Sequence, residues 1–558
     1  MKQWMLWVTV LGALGEPAGA QEVIFAVDGP YNFSVLRNVA GCGDLDFDGY
    51  PEVLVGTPGT SGPGTTGLVW VLSGQDASVL YEHTGEVPPD GLGTSLAGLG
   101  HFDGDDVPDY AAGDPTTTVS SERDGKVVVY SGRDGSEIVS LPGWGPNDRF
   151  GRWVAGIGDV NQDGFDDLAA VGIYNTVRIH LGPDGALLRT HSGPGTRTSV
   201  AAVGDVDQDG HPDYAIGWPQ DSTNGQWTGR VSVFSGRDGS EIHRVHGTTP
   251  NGPSTSGDHL GLAVSAAGDL DGDGVLDFVA GAPGEIDYGY QATQGSVRVY
   301  SGVDAHVLLH LEGEDYTHYY AQFGHRIAGG KDVNGDGTPD ILVGAPNGGF
   351  VIQGEAFVFS GSTAMIVWRL KGVETGMRLG TGLALLDDTD LDGIADFAIG
   401  DVSSFGLDWN GRVTVYAGAR GDAVRYCDTA PNSTGPGASI DLDGPIGIGN
   451  NELVLLATGA VPGELGLFFY GEDAVQLPFG DGFRCVGGAT FRLGPPQTVG
   501  PDGSDLRPLD FTAPPMDSGP GAVTPGSTWS FQHWYRDPQG PGGSGFNLSD
   551  ALRIQFTP

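Results

Sequence analysis

The sequence predicts an all-β protein: a seven-bladed β-propeller followed by a small C-terminal β-sandwich. Three observations lead to this. An acidic loop of one design recurs seven times, beginning at residues 44, 101, 159, 205, 269, 332 and 388. Steps of this size and regularity mark a repeated supersecondary unit and not scattered metal loops. A strand-like phrase with alternating apolar residues follows the loops, as in Gly125-Lys-Val-Val-Val-Tyr-Ser-Gly132, Gly229-Arg-Val-Ser-Val-Phe-Ser-Gly236 and Gly411-Arg-Val-Thr-Val-Tyr-Ala-Gly418. Finally, the 97 glycines and 36 prolines fall at turn positions between apolar runs, a turn-rich all-β composition.

Residues 1–20 read as a secretory signal peptide, with one positive charge, a short apolar stretch and Ala18-Gly-Ala20 before Gln21. That stretch is too short to span a bilayer, and no later segment offers about 18 consecutive apolar residues. The mature chain is therefore expected to be secreted, extracellular and without a membrane span. Residues 21–426 form the propeller. Glu22-Val-Ile-Phe-Ala-Val-Asp28 resembles the fourth strands of the later repeats and is expected to close the ring by pairing near Val413. Ala423-Val-Arg-Tyr426 competes for the same edge.

In the fifth repeat, residues 259–268 lead into an acidic loop. Asp277-Phe-Val-Ala-Gly281-Ala-Pro283 follows it, then Gly295-Ser-Val-Arg-Val-Tyr-Ser-Gly302, and a last strand lies within residues 303–311. Period-two alternation gives four strands per repeat, one blade. Residues 427–558 carry apolar runs between Gly/Pro-rich turns and no repeat, which reads as a β-sandwich. Of three cysteines, Cys427 and Cys485 are placed to join within that domain, leaving Cys42 buried and free.

Calcium takes six to eight oxygens, and a loop with side-chain oxygens at positions 1, 3 and 5, a carbonyl at 7 and a carboxylate at 9 can wrap one ion. The candidate ligands of the first loop are Asp44, Asp46, Asp48, the Tyr50 carbonyl and Glu52. The second offers only Asp103, Asp105 and Asp109, because His101 stands at position 1 and Asp106 where glycine is expected. Its site should be the weakest or empty. The third has Asp159, Asn161, Asp163, the Phe165 carbonyl and Asp167; the fourth Asp205, Asp207, Asp209, the His211 carbonyl and Asp213. The fifth has Asp269, Asp271, Asp273, the Val275 carbonyl and Asp277; the sixth Asp332, Asn334, Asp336, the Thr338 carbonyl and Asp340. The seventh has Asp388, Asp390, Asp392, the Ile394 carbonyl and Asp396. Crowding carboxylates without a cation is costly by Coulomb repulsion, which favours calcium over plain acidic turns. Position 12 excludes a helical EF-hand: where that motif needs glutamate, these loops carry Val55, Ala170, Ile216, Ala280, Val343 and Ile399 inside β-type runs.

Phe323-Gly324 before a loop and Gly344-Ala-Pro346 after it, with Phe150-Gly151, Leu260-Gly261 and Gly281-Ala-Pro283 elsewhere, resemble the FG-GAP repeats of the integrin alpha-chain propeller. The resemblance covers roughly residues 22 to 426. It implies a seven-bladed propeller whose calcium ions brace the loops at one end while ligands bind at the other.

The formal net charge of −44 would remain near −30 with seven calcium ions bound, so nucleic acid and anionic lipid are not expected partners. No Gly-x-Ser-x-Gly elbow, His-Glu-x-x-His helix or phosphate loop occurs, so no catalytic residue is assigned and no enzyme activity is expected. Arg420-Gly421-Asp422 occupies a hairpin-turn position and reads as chance, and Trp529, Trp534 and Tyr535 read as sandwich core before sugar platform. His533, in the same aromatic strand, reads as structural. The expected function is that of a monomeric extracellular adhesion or protein-interaction module with structural calcium, its partner an extracellular protein or glycan. The alternative is a carbohydrate-active protein, a lectin-like binder or polysaccharide lyase, and a structural role in an envelope or matrix is a third reading.

Overall fold

The computed structural model describes residues 8–9, 23–29, 38–59, 66–86, 90–117, 123–173, 176–248, 257–284, 295–313, 321–348, 352–402, 411–418, 421–427, 429–449 and 451–557. Apart from one short 3-10 turn, every regular element among them is a strand. Six four-stranded antiparallel sheets follow in chain order, starting with blade 1 (Asn38–Gly43, Glu52–Thr57, Leu68–Leu72 and Val79–Thr84). Blades 2 to 6 repeat this order, and their first strands are Ser95–Gly100, Trp153–Gly158, Ser199–Gly204, Val264–Gly268 and Arg326–Lys331. Blade 7 takes Gly382–Leu385, Phe397–Asp401 and Arg412–Tyr416 from the end of the repeats and its fourth strand, Val23–Asp28, from the start of the chain. Val27 faces Val413 in that pairing, as the sequence predicts. Arg412 clasps Asp28 across it at 2.7 and 3.0 Å. Val8 and Thr9 pair onto its outer side, and the rest of the expected signal peptide lies outside the described residues.

The first strands of successive blades pack against one another, and blade 7 returns to blade 1, so seven first strands line the axis. Small residues make this approach possible. A Cβ on Gly156 would stand 2.5 Å from the Gly98 carbonyl oxygen of the preceding blade. The second strands are buried along their length and the fourth are half-exposed, which follows from radial stacking.

The glycines of the repeat motif have a matching cause. Gly324 takes φ +84°, a conformation that costs an L side chain, and its carbonyl oxygen would lie 2.1 Å from a Cβ placed on Gly281 of blade 5. The same juncture joins Gly344 to Gly380 at 2.4 Å. Phe323, beside Gly324, is buried in the apolar layer between blades 5 and 6.

The strand at Asp422–Tyr426 does not take the blade 7 edge. It pairs with Gly545–Gln555 in a sheet that continues through Thr528–Asp537 and Leu465–Phe479 to Gly482–Arg492. Ser439–Asp443, Val454–Thr458 and Asp505–Pro508 make a second sheet, and Cys427 is disulfide-bonded to Cys485. Trp529, Phe531 and Tyr535 are buried, with Phe531 stacked on Tyr470 at 5.4 Å, and Trp534 is half-buried. His533 is buried too, sharing a hydrogen bond of 2.8 Å with Asp505. One apolar cluster runs from Val367, Trp368 and Phe397 of blades 6 and 7 to Ile440, Leu455 and Ile554, so the C-terminal sheets share a core with the propeller. Lys371 and Glu452 add an ion pair across the same junction at 2.7 Å. No helix among the described residues is long and apolar enough to cross a membrane.

Candidate functional site

All seven acidic loops connect a first strand to a second, so they gather at one end of the axis. Six share one backbone shape. The position-6 glycines, Gly49, Gly164, Gly210, Gly274, Gly337 and Gly393, take φ between +86° and +94° and donate their N–H to the position-1 aspartate at 2.7–3.0 Å. Position 4 is left-handed in every loop, even where it is Phe47, Gln162, Gln208 or Leu391. The reversal aims the carboxylates of positions 1, 3 and 5 inward.

The position-9 residue opens the second strand or immediately precedes it, and it is buried. From blade 2 onward its two oxygens are held by backbone N–H groups. Asp213, for instance, accepts from Val206 and Gly236, both at 2.8 Å, which ties the loop to the end of the third strand. Burial is the main force on these carboxyls and pushes Glu52 up to about 8, Asp167 and Asp396 to about 7, and Asp109 and Asp213 to about 6. The neighbouring loop aspartates add to the rise in each. A dication at the loop would reverse that preference by favouring the anions.

Four groups bring one carboxylate oxygen from each member within 4.8 Å of the others: Asp44, Asp46, Asp48 and Glu52; Asp205, Asp207 and Asp213; Asp269, Asp271 and Asp273; Asp388, Asp390 and Asp396. At that separation two anions repel by roughly 3 kcal/mol at an effective dielectric constant near 20 and by about 1 kcal/mol in water. Blade 1 fits a cation best. Asp44 Oδ1 and Glu52 Oε1 are buried there without a hydrogen-bond partner among the described residues, and an all-oxygen set suits a hard divalent ion. Asp209, Asp277 and Asp392 fall outside these groups, although each sits in its predicted loop.

Loops 3 and 6 bring fewer carboxylates together. Asn161 Nδ2 donates to Asp163 at 2.9 Å and Asn334 Nδ2 to Asp336 at 3.1 Å, so amide donors already meet part of the charge of Asp163 and Asp336, while Asp159 and Asp332 accept from backbone N–H groups of their own loops. Position 9 in these loops is Asp167 and Asp340, tied as above. The carbonyl-bearing residues Tyr50, Phe165, His211, Val275 and Ile394 donate their N–H to the position-5 carboxylate at 2.8–3.0 Å, as Thr338 does at 2.7 Å.

Loop 2 is built differently. Arg133 Nε donates to Asp105 Oδ2 at 2.5 Å, so a guanidinium is hydrogen-bonded directly to the position-5 carboxylate. Asp109 keeps its two backbone ties, one of them from Asp103, and the N–H of His101 reaches across to Asp166 of blade 3 at 2.7 Å. Arg133 lies outside the acidic-loop motif, yet the sequence carries a signal for it. The residue after the third strand's closing glycine reaches position 5 in other blades too. Ser362 donates to Asp336 at 2.7 Å, and Arg237 lies 3.9 Å from Asp209.

The profile of the FG-GAP repeat matches residues 37–72, 260–300 and 323–359, and that of the FG-GAP-like repeat matches 159–216. The first three spans each start just before or at a first strand and end with a third, enclosing one acidic loop. This is an FG-GAP propeller, integrin-alpha-like. The chain is 32% identical to integrin alpha-V of Gallus gallus over 180 residues, which is 31% of this chain and 16% of the integrin. It is 34% identical to integrin alpha-8 of Mus musculus over 173 residues, 29% of this chain and 15% of that one. With integrin alpha pat-2 of Caenorhabditis briggsae it shares 28% over 277 residues, 48% of this chain and 18% of the relative. The matched region thus spans less than a fifth of each of these integrins.

Proposed function

We propose that this chain is a secreted adhesion or protein-interaction module in which calcium, held by the acidic loops, keeps one end of an FG-GAP propeller rigid and leaves the other end for a partner. The integrin-alpha likeness of the propeller carries this reading, and the all-oxygen cluster of blade 1 supports calcium as its ion. In the same reading residues 1–20 are removed on export, residues 21–426 are the propeller and residues 427–558 a C-terminal domain. These two units share one apolar core, so they are expected to act as one body.

Calcium binding to the folded state alone stabilises it by about 2.7 kcal/mol at a hundredfold excess over Kd. Calorimetry of the purified chain should show Tm rising with added calcium and falling with EGTA; an unchanged melting curve removes calcium from the proposal. Partner capture from surface extracts, run beside a glycan array and a polysaccharide lyase assay, tests the rest. Capture of a protein that depends on calcium supports the module, whereas specific sugar binding or turnover replaces it with a carbohydrate-active reading.

A further inference from the structure

At the end of the axis away from the acidic loops, where the first strands begin, the ring opens into a cavity of about 340 Å³ to which all seven blades contribute. In a chain with formal charge −44, none of the described residues lining this cavity is acidic. Three are arginines: Arg152 of blade 3, Arg197 at the start of blade 4 and Arg326 of blade 6. Arg152 Nη1 donates to the neutral carbonyl oxygen of Thr196 at 3.1 Å, and neither Arg152 nor Arg197 forms an ion pair among the described residues.

Two further features point to an anion. Burial, and then the positive charges of Arg149 and Arg197, push the Arg152 guanidinium below its ordinary range, so like charges are gathered here against their mutual repulsion. Thr198 lines the same cavity, is 7% exposed, and its Oγ1 has no hydrogen-bond partner among the described residues. A carboxylate would accept from this hydroxyl and from the two guanidiniums, and guanidinium forks match its two oxygens. The aromatic ring at the site is not open as a sugar platform, because the Arg326 guanidinium lies over Trp153 at 4.9 Å from its centroid. The volume suits one acidic side chain and its neighbours better than a polysaccharide laid across the face.

We propose that this axial cavity binds a carboxylate presented by an acidic segment of a protein partner, with Arg152 and Arg197 as counter-ions and Thr198 as a neutral donor. The proposal rests on the protein-interaction reading and names the chemistry of the partner.

Fluorescein-labelled hexaglutamate, titrated by anisotropy into the full-length exported chain with calcium, is the direct probe, with hexaglutamine and oligogalacturonate as parallel arms. The expected result is binding of hexaglutamate but not hexaglutamine, weakening as salt rises from about 50 to 200 mM. An Arg152→Gln/Arg197→Gln variant should lose about tenfold or more in affinity with Tm and its calcium response unchanged, while Arg536→Gln, exposed on the C-terminal strand Thr528–Asp537, binds as the parent does. If the double variant fails to fold, Arg197→Gln alone, at an exposed position, carries the comparison. Equal binding by the arginine variant, or by hexaglutamine, overturns the site, and preference for oligogalacturonate overturns the peptide ligand in favour of an acidic glycan. Calcium-dependent capture of a protein partner that ignores Arg152 and Arg197 sinks the cavity and leaves the module standing. Hexaglutamate binding without any captured protein partner does the reverse.

Discussion

Histidines show how single residues join one blade to the next. His83, on the outer strand of blade 1, stacks on Tyr130 of blade 2 at 3.8 Å and shares a hydrogen bond of 2.8 Å with the Tyr110 hydroxyl. His191 meets Tyr214 and Phe234 in the same way between blades 3 and 4, with 2.7 Å to the Tyr214 hydroxyl. Burial holds both imidazoles down to about 4. The unfolded chain, with ordinary histidines near 6.5, therefore binds more protons between about pH 4 and 6.5. Their contribution is complete above pH 6.5 and is lost as pH falls through the folded value. Each should cost on the order of 1 kcal/mol at pH 5 once its partial exposure is allowed for. A His83→Phe/His191→Phe variant should accordingly lose less stability than the parent between pH 6.5 and 5 in urea titrations; parallel losses would show that the histidines do not set the slope.

At the scale of the element, the two glycines of the repeat are one device seen from two blades. Gly281, next to last in the second strand of blade 5, faces the carbonyl of Gly324 just before the first strand of blade 6, and a methyl group there has no room. Gly281→Ala should cost about 3 kcal/mol, in the upper range for overpacking, read as a fall in the urea midpoint. Gly49→Ala meets nothing within 4 Å and should cost less, from its φ of +94° alone. The acidic loop is likewise an element with a variant inside it. In blade 2 Arg133 meets the position-5 carboxylate, Asp105, directly. Replacing two of the three departures, as His101→Asp/Arg133→Gln, should add one calcium to the stoichiometry found by isothermal titration; an unchanged stoichiometry would show that the third, Asp106, and the altered loop shape, not the missing charge, disable the site.

For the whole molecule, the ring closes through segments 384 residues apart, since Asp28 and Arg412 meet on adjacent strands. Removing residues 23–28 would leave Arg412–Tyr416 as an exposed strand edge with buried Val413 and Val415 behind it. Such an edge templates association, so the truncated chain should form oligomers in light scattering where the parent is expected to stay monomeric. A monomeric truncation of unchanged Tm would mean that another segment takes the edge.

Seven blades, the place of each acidic loop and the closing strand were legible because a repeat writes the same local pattern many times. Val27 opposite Val413, the left-handed position 4 and the glycine junctions all serve that pattern. Tertiary structure alone decided what depends on residues distant in the chain. Arg133 neutralises Asp105 across 28 residues, Asp422–Tyr426 leaves the propeller edge for the C-terminal sheet, and Arg152, Arg197 and Arg326 converge only once seven strands close around an axis. Local periodicity records which face of a strand is buried. It carries no record of which blades meet, and charge is gathered or cancelled in those meetings.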